Sequence, residues 1–300
     1  METNYHIPVL LNESVGGLAI KPDGIYVDAT YGGGGHSSKI LQSLTTGKLI
    51  AFDQDVDAAH NIIKSDNLIF VQHNFIFLKN FLRYHGFEKV DGVLADLGVS
   101  SHDFDVPERG FSFRFDGKLD MRMNQSAALT AQQIINEYDE SKLTAIFREY
   151  GELSNAKKTA SVIVNARATR RIETTQQLCA VIEIIVPKKA ANKYLAQVFQ
   201  ALRIEVNQEL DSLKTFLTDV ADVLNPGGRL VVMSYHSLED RLVKNFISKG
   251  DFSGEVEKDF FGNVKSLFRP IERKAIVPSE KEIQQNPRAR SAKLRIAEKV

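Results

Sequence analysis

Ile25-Tyr26-Val27-Asp28-Ala29-Thr30-Tyr31-Gly32-Gly33-Gly34-Gly35-His36-Ser37 is the stretch that decides the fold. A short β-branched and aromatic run, Ile25 to Thr30, stops at four consecutive glycines, and Ser37 to Leu44 then reads as the start of a helix. Each glycine costs conformational entropy on folding, so four in a row are a poor choice for packing alone. They let main chain come close to a ligand, and a helix N-terminus behind them favours a polar or anionic one. Eighteen residues past Gly35 a second strand, Lys48 to Phe52, ends in Asp53. An acidic residue roughly twenty residues from such glycines is the usual partner of a ribose diol. The pattern predicts a nucleoside-containing cofactor on an open α/β sheet.

The strict dinucleotide pattern G-x-G-x-x-G fails, because the sixth position counted from Gly32 is Ser37. Glycines and acid together therefore leave NAD and S-adenosylmethionine both open. Composition is that of an ordinary globular chain: 300 residues, 43% hydrophobic and 25% charged. The single cysteine, Cys179, excludes an internal disulfide and fits a reducing compartment. It lies in the apolar helical run Leu178–Val181, where a buried thiol is expected. Met1 to Leu18 has neither a basic n-region nor a continuous apolar h-region, and no apolar run approaches membrane-spanning length. A cytoplasmic protein without membrane partners is expected.

Net charge is zero, but its distribution is uneven. Gly151 to Arg203 carries a net +6 and Val264 to Val300 another +6. Two basic segments on an otherwise acidic chain suggest a local polyanion footprint. Solvated basic helix faces would read the same way.

Ile25–Thr30, Lys48–Asp53, Leu68–Gln72 and Val90–Asp96 alternate with polar or helical sequence, the βαβ rhythm of a parallel sheet. The next strand, Arg229–Ser234, comes only after about 130 residues, far beyond what a crossover needs. The gap reads as helices: Thr130–Tyr138, Ser141–Tyr150, Asn155–Thr169, Thr175–Val186 and Lys193–Asn207, then the amphipathic Glu209–Leu224. Residues 111–204 are thus expected to form an all-helical insert between residues 1–110 and 205–300 of the sheet domain. Ser237 reads as the N-cap of a helix through Lys249, and Ser266–Phe268, Ala275–Val277 and Ala292–Ile296 read as closing strands.

In open α/β sheets ligands sit at the carboxyl ends of strands beside the topological switch point. Asp28, Asp53, Asp96 and the run Ser234-Tyr235-His236-Ser237 all fall at such ends and should converge on one cleft. Asp96 and His236 are the candidate catalytic residues; His236 could act as a base or cap the following helix, and Asp96 could cap a loop. Pro107–Arg114 and Asp120–Met123 mix Arg109, Arg114 and Arg122 with Phe111 and Phe113. That is the chemistry of single-stranded RNA binding, or of a hinge with two phenylalanines in the core. No Cys/His cluster or HExxH occurs, and Asp53/Asp55/Asp57 and Asp116/Asp120 lack the glycine and closing glutamate of a calcium loop.

His6–Glu13, Asp28 with Gly32–Ser37, Asp96–Ser101, Glu108–Phe113 with Leu119–Met123, Phe199–Asn207, Ser234–Arg241 and Asn286–Arg295 occur in this order. Over essentially all 300 residues, the chain resembles the bacterial 16S rRNA (cytosine-N4) methyltransferases, the RsmH or MraW family. The resemblance implies a class I S-adenosylmethionine-dependent methyltransferase sheet, Rossmann-like, with a helical insert. It implies methylation of a cytidine in the decoding region of the small ribosomal subunit, whose rRNA would be the partner. Carried over by position, Gly34, Gly35 and His36 line the methionine and ribose side of S-adenosylmethionine. Asp53 holds the ribose hydroxyls, and Phe75 and Asp96 border the adenine. Asp103 is placed at the cofactor where the family commonly has Gln; an ionised carboxylate cannot donate a hydrogen bond as Gln can. On the RNA side the expected footprint is Arg109, Arg114 and Arg122, then Lys157, Lys158, Arg167, Arg170 and Arg171, then Arg288, Arg290, Lys293 and Arg295. An NAD-dependent oxidoreductase and a non-catalytic RNA-binding factor are the competing readings. Monomer and dimer both stay open.

Overall fold

The computed structural model describes residues 8–99, 104–255 and 266–300. Its contacts form two compact units: residues up to Gly98 together with those from Leu210 onward, and Val99–Glu209. The strands are β1 (Ile25–Asp28), β2 (Lys48–Phe52), β3 (Leu68–Val71), β4 (Val90–Asp96), β5 (Leu224–Ser234), β6 (Phe268–Pro270) and β7 (Lys293–Lys299). The helices are α1 (Leu11–Gly17), α2 (Gly35–Leu41), α3 (Leu78–Tyr84), α4 (Ala131–Glu137), α5 (Glu140–Glu149), α6 (Ala156–Thr169), α7 (Thr175–Glu183), α8 (Ala191–Asn207), α9 (Glu209–Val223), α10 (Ser237–Lys249) and α11 (Glu280–Gln285).

The first unit is built on a seven-stranded sheet in the order β3-β2-β1-β4-β5-β7-β6. Strands β1 to β5 pair in parallel, and β7 runs antiparallel between β5 and β6. A parallel sheet covered on both faces needs apolar residues at every strand position. Accordingly Val27, Ile50, Val93 and Val232 pack beneath α3, α9 and α10, while Tyr26, Leu49, Leu94 and Val231 pack on the opposite face with α1 and α2. The chain leaves β3 at one edge and returns to β4 beside β1. The β1/β4 boundary is therefore the switch point at which the fold opens a crevice.

Three details differ from the sequence expectation. Leu224 already pairs with Val90, so β5 begins before the Asn225–Gly228 turn; the ladder then slips and resumes at Arg229 opposite Gly92. Gly227, at φ 78°, takes the left-handed conformation that the slip requires. Ala275–Val277 contributes only an isolated bridge, Ile276 to Leu294. Helix α2 ends at Leu41, three residues short of the apolar run that suggested it.

The second unit is helical and starts earlier than residue 111. Phe111, Leu119 and Met121 are buried in its core with α4 to α8, and Val99 and Phe104 pack against that core. Helices α4, α5 and α7 start on the caps their sequences offer: Thr130 and Gln133 form a capping box, and the side chains of Asp139 and Thr174 accept from Lys142 and Gln177 main-chain N–H. Among the described residues no helix is long and apolar enough to cross a membrane.

Candidate active site

The glycine loop is held from three sides. Gly32 (φ 53°) and Gly34 (φ 76°) are left-handed, and Gly34 is the N-cap of α2. A Cβ on Gly34 would meet the Tyr31 hydroxyl at 2.6 Å, and one on Gly35 would meet Pro8 at 2.1 Å. The same probe on Gly32 meets nothing within 4 Å, so the loop's open side is there. Asp53 Oδ2 accepts the Gly32 N–H at 2.7 Å and Oδ1 accepts the Asp55 N–H at 2.9 Å, tying the end of β2 to the loop. Phe75 follows β3 and packs edge-to-face on Phe216, with ring centroids 5.0 Å apart. Its neighbour Asn74 donates to Gln54, the residue after Asp53, at 2.7 Å.

The ends of β1 and β4 are joined through Thr30. Its main-chain N–H donates to Asp28 Oδ1 at 3.1 Å, and its hydroxyl oxygen accepts the Asp96 N–H at 2.7 Å. Asp28 is fully buried and takes a 2.6 Å bond from Ser37. Burial pushes its carboxyl up to about 6, against the pull of those bonds. Asp96 keeps 23% of its side chain exposed. Desolvation lifts it also to about 6, with the nearby His36 and the Tyr235 hydroxyl acting the other way. Tyr235 donates to Asp96 Oδ1 at 2.9 Å, and His36 Nδ1 lies 3.9 Å from Oδ2. The His36 ring is buried, with Nε2 3.3 Å from the Val9 carbonyl. Asp28, His36, Asp96 and the β5 end thus do converge, and Asp53 joins them through the glycine loop.

His236 resolves toward the capping alternative. It, and not Ser237, is the N-cap of α10: Nδ1 accepts the Glu239 N–H at 3.4 Å and Nε2 lies 3.1 Å from Glu239 Oε1. With 8% of its side chain exposed, its Nδ1 serves the helix start, while the buried Nε2 lies beside Glu239 Oε1 without a hydrogen bond. Tyr235, its neighbour, reaches Asp96 instead. Asp103 lies outside the described residues.

A family profile described as the MraW methylase family matches residues 3–300. This chain belongs to that family. Ribosomal RNA small subunit methyltransferase H of Bacteroides fragilis is 57% identical over 299 residues, covering 99% of this chain and 98% of the relative. Its counterpart in Parabacteroides distasonis is 58% identical over 298 residues, covering 99% and 98%. That in Flavobacterium johnsoniae is 58% identical over 297 residues, again covering 99% and 98%. Membership over the full length removes the oxidoreductase reading.

In this MraW-family chain the expected RNA footprint divides. Arg109 is buried and donates to the Arg122 and Met123 carbonyls. Arg122 is forked onto Asp120 at 2.7 Å and also donates to the Gln125 and Ala127 carbonyls. Both arginines staple the loop; Phe111 is a core residue and the partly buried Phe113 packs against that core, edge-to-face with Phe199 at 5.5 Å. Arg167 donates to the Ile135 and Tyr138 carbonyls, each at 2.6 Å, and Arg171 pairs with Glu137. Asp240 holds Arg295 at 2.7 Å and Lys293 at 3.2 Å. Arg114, Lys157, Lys158, Arg170, Arg288 and Arg290 remain exposed.

Proposed function

We propose that this protein transfers a methyl group from S-adenosylmethionine to N4 of a cytidine in the decoding region of 16S rRNA, in the small ribosomal subunit. The observation that carries the reading is the family match over residues 3–300, with relatives named ribosomal RNA small subunit methyltransferase H. An rRNA substrate would put the enzyme in the cytoplasm. Residues 111–204, the core of the helical unit, are the RNA-facing insert.

The residues at the strand ends fit the cofactor's chemistry. The half-buried carboxylate of Asp53 can accept from a ribose diol beside the open side of Gly32, with Gly34, Gly35 and the His36 main chain continuing the loop. Phe75 offers a ring beyond the end of β3 for the adenine. S-adenosylmethionine, when bound, supplies an electrophilic methyl group on a sulfonium sulfur.

Cytosine N4 is a weak nucleophile because its lone pair is delocalised into the ring. The protein must extrude the base and hold N4 in line with the methyl group. As the N–C bond forms, N4 must also lose a proton. Asp96 is the assigned acceptor: with its carboxyl near 6 it is ionised at neutral pH yet a better base than an ordinary aspartate. Tyr235 occupies Oδ1 and fixes the carboxylate plane, leaving Oδ2 on the side of His36. His236 is assigned a positioning role, because it anchors the start of α10 next to Tyr235 and does not itself accept the proton. Methylation at C5 normally needs a cysteine nucleophile, and burial pushes the Cys179 thiol up to about 11, inside the helical core.

Small subunits lacking the modification, incubated with the protein and labelled cofactor, should yield N4-methylcytidine on digestion and mass spectrometry. A C5-methylated product, or no transfer, would overturn the assignment.

A further inference from the structure

One tyrosine ties together two helix N-termini of the Val99–Glu209 unit. The Tyr194 hydroxyl, in the first turn of α8, donates to Asn155 Oδ1 at 2.6 Å and also meets the Thr159 hydroxyl. Asn155 is the residue before α6, and Thr159, fully buried, lies one turn into it. Lysines crowd both starts. Lys157 and Lys158 stand in the first turn of α6, Lys193 in that of α8, and Lys188 and Lys189 in the 3-10 turn leading into α8.

Neither helix has an acidic residue in its first turn, and no Asp or Glu occurs in residues 153–172 or 184–204. All five lysines are exposed, and among the described residues none has an ion-pair or hydrogen-bond partner. A helix N-terminus is already a positive pole, so a first-turn lysine is at the unfavourable end of the dipole. The other end of α6 carries its cation where the dipole favours it: Arg167 stands in the last turn and donates to carbonyls at the end of α4, and Arg171 just beyond meets Glu137. Five uncompensated cations around two joined positive poles cost the unit stability by themselves. An external polyanion would reverse that cost.

We infer that the joined N-termini of α6 and α8 are a docking surface for the phosphate backbone of RNA, with Lys157, Lys158, Lys188, Lys189 and Lys193 as its contacts. The inference rests on the reading that RNA is the substrate, and it says which part of the insert meets it. Lysines act as point charges without the planar fork that reads a base edge, so this surface positions the RNA and carries no sequence information.

The test compares the full-length protein with its five-fold lysine-to-glutamine variant (K157Q, K158Q, K188Q, K189Q, K193Q). Anisotropy is measured across a salt series on an RNA fragment containing the target cytidine. Each phosphate that is no longer neutralised takes about 0.7–0.9 off the log–log salt slope. The variant should therefore bind at least about tenfold more weakly near physiological salt, with a slope shallower by about 3.5–4.5 for five lost contacts. Its Tm should equal or exceed that of the unsubstituted protein, since the lysines oppose the dipole, and its affinity for S-adenosylmethionine should not change. An unchanged RNA isotherm would hand the surface to an acidic protein and overturn the proposal; a lowered Tm would overturn its electrostatic premise. If the unsubstituted protein methylates small subunits while the variant binds RNA equally well, only the docking surface fails. If it transfers no methyl group, the reading beneath it fails.

Discussion

The Tyr235 hydroxyl donates to Asp96 Oδ1 at 2.9 Å, joining the ends of β5 and β4 across 139 residues of chain. The bond favours the ionised carboxylate, opposing the burial that lifts Asp96 to about 6. Tyr235→Phe removes the donor and leaves the ring. A hydrogen bond to a charged group is worth about 1.5–3 kcal/mol, and about 1.4 kcal/mol is one pH unit. The acid limb of kcat/KM should therefore move up by about one unit or more, with activity falling further at pH about 6 than at about 8. Methyl transfer measured across that range decides it: an unmoved limb would detach Tyr235 from the ionisation of Asp96.

Asp28 should make the protein less stable as pH rises. Its folded carboxyl is raised from 3.8 to about 6, chiefly by burial. Well below the unfolded value of 3.8 both states are protonated and there is no penalty. Between the two values the unfolded chain has released a proton that the folded one retains, so the penalty grows with pH. Above about 6 it is complete, on the order of 3 kcal/mol. Asp28→Asn keeps the shape, the bond from the Thr30 N–H and a partner for Ser37. The variant should gain stability up to that order at neutral pH and only about 0.5 kcal/mol near pH 4. Urea midpoints at the two pH values check this, and an equal gain at both would show that charge is not the cause.

Asp53 has two tasks. Its Oδ2 orients Gly32, and the same carboxylate is the proposed acceptor for the ribose. Asp53→Ala removes both, so affinity for S-adenosylmethionine should fall by at least about tenfold, as expected when one or more charge-assisted hydrogen bonds disappear. Calorimetry reads it directly. Tighter binding of NAD than of S-adenosylmethionine by the unsubstituted protein would sink the cofactor assignment.

How much of this was legible depends on how local each signal is. Asp28, Asp53 and Asp96 end apolar runs, and a run that stops at an acid beside glycines can be read in ten residues. The crevice could therefore be named from sequence. Tyr235 could not, because its partner is 139 positions away and nothing in its own neighbourhood distinguishes it from His236. The His236 cap did leave a trace: Glu239 sits three residues on, the spacing of a capping box, but the adjacent Ser237 is the commoner cap and points one residue too late. The basic segments were visible as charge, yet a net charge cannot separate an arginine bonded to carbonyls from a lysine in solvent. That difference is made by tertiary structure alone.

Arg167 is where that difference can be measured. Its guanidinium donates to the carbonyls of Ile135 and Tyr138, each at 2.6 Å, and so closes the C-terminal end of α4. Helix ends leave carbonyls without partners, and a cation there also suits the dipole. Arg167→Ala strips both carbonyls at once, in a partly buried place where water replaces the donors poorly. The expected cost is about 2–4 kcal/mol, from two charge-assisted bonds less what solvent recovers. Arg167→Lys should restore only part of it, because an ammonium lacks the planar fork that spans two acceptors. The salt slope of RNA binding should be the same in all three proteins, since a guanidinium occupied by carbonyls neutralises no phosphate. Denaturant unfolding and the slope together decide the matter. Unchanged stability with a slope shallower by about one would return Arg167 to the RNA footprint.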